Sequence, residues 1–129
     1  MRNARATLTT TSTDMSTTSL TSDWFYMANL VWVAFQFAFS GAPVGTWSLE
    51  WSNDDIDPSF GQQNAAAYRN TNITTITPLT GASLAVAATD TNGGLFVADF
   101  PALWVRAKYT KTSGTGTVST VNAVGKGTT

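Results

Sequence analysis

Any acid–base chemistry in this 129-residue chain falls to its carboxylates, because it contains no histidine and no cysteine. That composition removes the usual general base at neutral pH, the Ser-His and Cys-His nucleophile pairs, and ordinary zinc sites. Glu50, Asp54, Asp55 and Asp57 stand close together in sequence. A pair of such groups can hydrolyse a glycosidic bond, and several carboxylate and amide oxygens can hold calcium. Neither use fits the local pattern well. Glu50 occupies a polar position of an alternating strand, and Ser52-Asn53-Asp54-Asp55-Ile56-Asp57-Pro58 lacks the glycine and distal glutamate of a helix-loop-helix calcium loop. Asn, Asp and Pro at that density predict a turn. The glycines offer no phosphate cradle, since Gly41 to Gly45 lacks the lysine and the following helix and Gly114 to Gly116 lies in an expected hairpin. No catalytic, cofactor-binding or metal-binding residue is assigned, and the chain is expected not to be an enzyme. A second kind of chemistry is binding: five tryptophans and three tyrosines could stack on sugar rings if several lay exposed in one patch.

The elements that must position these groups centre on Leu30 to Asn53. Val31, Val33, Phe35, Phe37 and Phe39 alternate with Trp32, Ala34, Gln36 and Ala38, a period of two that predicts a strand. Ser40 to Gly45 holds two glycines and a proline and predicts a reversal. Trp47, Leu49 and Trp51 then alternate with Thr46, Ser48, Glu50 and Ser52 as a half-buried strand with one wet face. The whole reads as a β-hairpin. The competing reading is a membrane helix, because Trp24 to Val44 carries no charge and is about the 20 residues needed to cross a bilayer. Asn29, Gln36, Ser40, the Gly/Pro corner and the absence of a flanking Lys/Arg cluster weigh against it.

Downstream, Ile73 to Thr77 predicts a strand ending at Pro78, Ala82 to Ala88 another, and Asp90 to Gly94 a tight turn before a short strand from Leu95 to Phe100. Phe60 to Asn72 reads as a long polar surface loop. Trp104 to Lys111 places Val105, Ala107 and Tyr109 on one face and Arg106 and Lys108 on the other. Thr112 to Gly116 turns the chain, and Thr117 to Val124 returns as a second hairpin. The basic residues of that hairpin are expected to be solvated and to deter edge pairing.

Residues 1–23 form a Thr/Ser-rich N-terminal arm whose large apolar residues, Met1, Leu8, Met15 and Leu20, are too far apart to build a core. Arg2 and Arg5 supply the basic start of a secretory signal, but no apolar region of signal length follows. The arm is expected to lie against its own sandwich or to add a strand to a neighbouring subunit. Residues 24–129 form the β-sandwich domain, long enough for a core without staples. With no cysteine, nothing ties the fold to an oxidising compartment. Seven basic against eight acidic residues leave a net charge of −1, without the basic stripe that nucleic acid or an anionic membrane surface requires.

Three stretches carry a resemblance. Phe39-Ser40-Gly41-Ala42-Pro43-Val44-Gly45-Thr46, Trp51-Ser52-Asn53-Asp54 and the run from Trp104 through Thr112-Ser113-Gly114-Thr115-Gly116 to Val118 resemble a recurrent small bacteriophage virion protein family over roughly residues 30 to 125. The polar insertion at 57–72 departs from that pattern. The resemblance implies an all-β, antiparallel, jelly-roll-like sandwich that decorates, cements or joins subunits of a virion assembled in host cytoplasm. Its expected partners are the major capsid protein or neighbouring copies, in a homo-oligomeric assembly without nucleic acid, membrane or cofactor. The candidate interface residues are Leu8, Met15, Leu20, Trp24, Trp32, Ala34, Gln36, Ala38 and Trp104. Trp32, with the small residues of its face, predicts a flat groove that something else must cover. The alternative is a tail or fibre module that binds host surface glycans through its aromatic residues.

Overall fold

The computed structural model describes residues 3–17, 19–28, 30–53, 77–98 and 103–127. The acidic cluster Asp54 to Asp57, the polar stretch 60–72 and most of the strand expected at 73–77 lie outside those residues. Among the described residues nine strands follow in order: β1 (Asn3–Leu8), β2 (Ser19–Thr21), β3 (Phe25–Tyr26), β4 (Trp32–Gly41), β5 (Val44–Ser52), β6 (Thr77–Val86), β7 (Asn92–Val97), β8 (Trp104–Ser113) and β9 (Gly116–Lys126). They form two antiparallel sheets, β1-β9-β4-β7 and β2-β8-β5-β6, with β3 also pairing β8. The all-β sandwich expected from the alternation is therefore present, and the apolar stretch from Trp24 to Val44 read alternatively as a membrane helix holds β3, β4 and the start of β5 instead. No helix among the described residues is long and apolar enough to cross a membrane.

The strand order differs from two self-paired hairpins. β4 and β5 lie in different sheets, and so do β8 and β9. Each alternating unit pairs with the other unit: β4 with β9 and β5 with β8. Gly41 stands opposite Gly116 in one sheet and Val44 opposite Ser113 in the other, so the same register runs through both corners. The Ala42 N–H donates to the Thr115 carbonyl at 2.8 Å and joins them. A long two-stranded ribbon thus bends once and closes on its own core, and the β1·β9, β2·β8, β4·β7 and β5·β6 pairings extend the two sheets on either side of it. The bend needs glycine at two points. Gly41 and Gly114 have φ of 89° and 76°, in the region L side chains avoid. A Cβ on Gly114 would also collide with the Ala42 carbonyl oxygen, and one on Gly41 would lie 2.8 Å from Gly116 Cα.

Inside, the predicted faces hold. Val33, Phe35, Phe37 and Phe39 of β4 are buried, as are Trp47 and Leu49 of β5 and Val105, Ala107 and Tyr109 of β8. Phe37 stacks on Trp47 across the two sheets at 4.1 Å and 6°, and Trp47 tilts against Tyr109 at 5.2 Å. Flat aromatic surfaces meeting this way bury large apolar area and add a specific pair term of about 1 kcal/mol.

The N-terminal segment is not an outlying arm. β1 is an edge strand of one sheet, with Leu8 opposite Val121, and β2 is an edge strand of the other, with Leu20 opposite Tyr109. Between them the Met15 N–H donates to the Gly116 carbonyl and the Val118 N–H to the Thr13 carbonyl. Leu8, Met15 and Leu20 all enter the core, so the segment packs on its own sandwich and no break follows Asp23. Residues spaced too widely to form a core alone complete one that the other strands supply.

Two local expectations also shift. The tight turn falls at Ala87 to Asp90, where the Asp90 N–H donates to the Ala87 carbonyl and the Asp90 carboxylate accepts from the Ala87 N–H at 2.8 Å. Asn92, Gly93 and Gly94 are part of β7, where Gly93 pairs with Phe37 and a Cβ on it would meet the Leu84 side chain. Pro78 does not end a strand either. It sits within edge strand β6, opposite Glu50, beside a register shift, where proline is tolerated.

Candidate interaction surface

The outer face of the β1-β9-β4-β7 sheet is built by the strand positions that alternate away from the core. The register aligns them in rows. Arg5, Val124, Ala34 and Phe96 cross all four strands in one row; Thr7, Asn122, Gln36 and Gly94 form the next. Lys126 stands opposite Trp32 at the end of the sheet. Three large apolar side chains lie open here: Phe96 is 64% exposed, Trp32 44% and Val124 41%. Trp32 meets Phe96 edge-on, ring centroids 6.1 Å apart at 66°. Because Ala34 is small, the surface dips between them into a shallow cavity of about 210 Å³ lined by Trp32, Ala34, Phe96, Val124 and Lys126. A wider groove of about 430 Å³ adjoins it, with Arg5, Thr7, Gln36 and Asn122 among its lining. The Thr7 hydroxyl donates to Asn122 Oδ1 at 2.9 Å and fixes that amide. The four strands contain Arg5 and Lys126 and no Asp or Glu, so the face is apolar at its centre with cations at the rim.

The nine candidate interface residues do not converge. Trp32, Ala34, Gln36 and Ala38 share this face, Trp32 and Gln36 exposed and the two alanines half-buried. Leu8, Met15, Leu20 and Trp24 are corrected: all four are buried within the fold and cannot meet a neighbour while it stays folded. Trp104 belongs to the opposite sheet, half-buried, its ring 4.7 Å from that of the exposed Tyr26. Phe96 and Val124 were missed. Their strands alternate, but the parity that turns Phe96 outward and Leu95 and Val97 inward comes from the pairing of β7 with β4, which no local pattern specifies.

Among the described residues, the carboxylates of Asp14, Asp23, Glu50 and Asp90 are held in structural contacts. Glu50, expected on a wet face, is buried: Arg106 Nε donates to Glu50 Oε1 at 2.9 Å, Lys108 Nζ lies 4.0 Å from Oε2, and the Arg106 guanidinium lies 4.5 Å from the Trp24 ring centroid. The basic residues of β8 therefore do not guard an edge, because β8 is an interior strand between β2 and β5. Trp24 reaches this position through a bulge. Three residues, Ser22 to Trp24, stand opposite two of β8, and Ser22 Oγ accepts the Ala107 N–H at 3.0 Å. Asp14 accepts from the Ser16 N–H and hydroxyl, which holds its carboxyl below the ordinary range. Among the described residues, no three His, Cys, Asp or Glu side chains come together to hold a metal ion.

No family model and no curated protein matches the sequence. Among solved structures, the chain is similar to a chain of the black queen cell virus structure, with a TM-score of 0.40 and 10% identity. The match covers 94% of this chain and 64% of that one, so this chain spans less than two thirds of its length.

Proposed function

We propose that this protein is a non-catalytic structural component of a bacteriophage particle, acting as a decoration, cement or minor virion protein through subunit–subunit contacts. The observation that carries the reading is the open Trp32–Phe96–Val124 surface, apolar and contiguous across a sheet whose opposite face is fully committed to the core. Large aromatic side chains left in water at one place mark a surface that another molecule covers. The bacteriophage assignment is supported by the sequence resemblance, whose motifs meet in space: Gly41 to Val44 and Ser113 to Gly116 are the paired corners of the folded ribbon. The absence of histidine and cysteine, with Glu50 tied to Arg106, supports a role without catalysis. The partner that fits is another virion protein or a neighbouring copy presenting an apolar surface flanked by carboxylates, opposite Arg5 and Lys126. Trp32→Lys tests this. The variant is expected to fold, since the ring is already half in water, and to be lost from particles; incorporation at the wild-type level overturns the reading.

One observation favours a second reading, a tail or fibre module for host surface glycans. Arg5, Gln36 and Asn122 bring polar groups into a groove beside exposed rings, the combination that holds a sugar by hydrogen bonds and an apolar face. On a glycan array, binding that disappears in Trp32→Ala would select it.

A further inference from the structure

Among the described residues, five strands lie at the edges of the two sheets, and four of them carry devices that discourage further pairing. β1 has Arg5 in its middle, β2 and β3 are three and two residues long and are separated by the Ser22 bulge, and β6 contains Pro78. β7, Asn92-Gly93-Gly94-Leu95-Phe96-Val97, has no charge, no proline and no bulge against β4. Among the described residues nothing pairs with its outer side.

The hydrogen-bonding state of that edge follows from its inner side. The Phe39 N–H donates to the Thr91 carbonyl at 2.9 Å, one step beyond the register that sets Ala38 opposite Asn92. Bonded and non-bonded pairs alternate along an antiparallel ladder. Gly93, Leu95 and Val97 therefore bond to β4, while Asn92, Gly94 and Phe96 direct their N–H and C=O groups outward. Water can meet such a row group by group, and an extended backbone meets it in register.

We infer that β7 pairs antiparallel with β7 of a second copy of this chain, about a two-fold axis at Leu95, fusing two four-stranded sheets into one. The sequence of β7 is self-complementary in that register. Phe96 of each copy stands opposite Gly94 of the other, both with outward-directed backbone groups, so each pair closes hydrogen bonds. Gly94 also leaves room on the outer face for the opposing ring, an arrangement that stabilises glycine in strands. Leu95 meets Leu95 as a non-bonded pair on the inner face. The inference needs only the edge and stands whether or not the protein belongs to a virion.

The chain contains no cysteine, so Leu95→Cys places a single thiol on the axis. Opposed Cα atoms in a non-bonded pair lie about 4.5 Å apart, inside the roughly 4.4–6.8 Å that a disulfide spans. Under mild oxidation Leu95→Cys is expected to become a covalent dimer at low protein concentration. By sedimentation, wild type and Trp32→Ala are expected to be dimers and Phe96→Lys, which sets a charge on the edge at an already exposed site, a monomer. If Leu95→Cys does not fold, the sedimentation of Phe96→Lys decides alone. A wild-type protein that stays monomeric at all concentrations overturns the inference. So does a dimer that neither cross-links through residue 95 nor dissociates in Phe96→Lys, or one that Trp32→Ala abolishes, because each places the contact on another surface.

Discussion

Tyr109 shows how residue-scale burial sets a pH limit. Its hydroxyl is buried beneath Trp47 and has no hydrogen-bond partner among the described residues, and desolvation raises its pKa above the ordinary value. With the folded pKa raised, this contribution to stability is full below the unfolded value of about 10. It is lost as the pH rises from there through the folded value. Tyr109→Phe is expected to match or exceed wild-type stability at neutral pH and to keep it in alkali, as measured by denaturant midpoints across the range. The Glu50–Arg106 pair works oppositely. Removing Glu50 leaves a guanidinium partly enclosed under Trp24 without its counter-charge, so Glu50→Ala is expected to cost about 2–3 kcal/mol. Double replacement of both residues is expected to recover part of that loss. The alternation in sequence put Glu50 on the correct side of β5. It could not show that Arg106 and Trp24 would cover it, because the bulge at Ser22 that delivers Trp24 depends on pairing with β8.

At the scale of elements, local pattern gave strand identity and facing but not partnership. The Phe-rich and Trp-rich runs fell on the predicted strands with the predicted inner faces, since alternation reports only which side of a strand is dry. Strand–turn–strand reads the same in sequence whether the strands pair with each other or turn a corner into facing sheets. Two corners with the same register decide for the second arrangement, and their glycines are the physical reason it closes. Gly114→Ala is accordingly expected to destabilise by at least about 2 kcal/mol, from the positive φ and the collision with the Ala42 carbonyl. The check is a thermal melt compared with Ala88→Gly, a change at an exposed turn residue that should have little effect. A normal melting temperature for Gly114→Ala would mean the corner is not built this way. The N-terminal segment was illegible for a related reason: Leu8, Met15 and Leu20 each fill a gap left by strands more than 80 residues away in sequence.

For the whole molecule, the winding leaves three large apolar side chains, Trp32, Phe96 and Val124, open on one sheet, whereas on the other Tyr26 is exposed beside Trp104 and Arg106, Glu50 and Trp24 are already in contact. That asymmetry is the physical basis for reading the protein as a component that neighbours must cover. Half of the candidate face, Trp32 and the small residues beside it, was legible as the polar-side alternation of β4. Phe96 and Val124 joined it only through the registers of β7 and β9. The most direct test of the proposed virion role is a density map, at side-chain resolution, of a phage particle assembled in the presence of this chain. It should contain the chain with Trp32, Phe96 and Val124 packed against a neighbouring subunit and with Arg5 or Lys126 near that neighbour's carboxylates. A particle that lacks the chain, or one that holds it with this face open to solvent, would contradict the account.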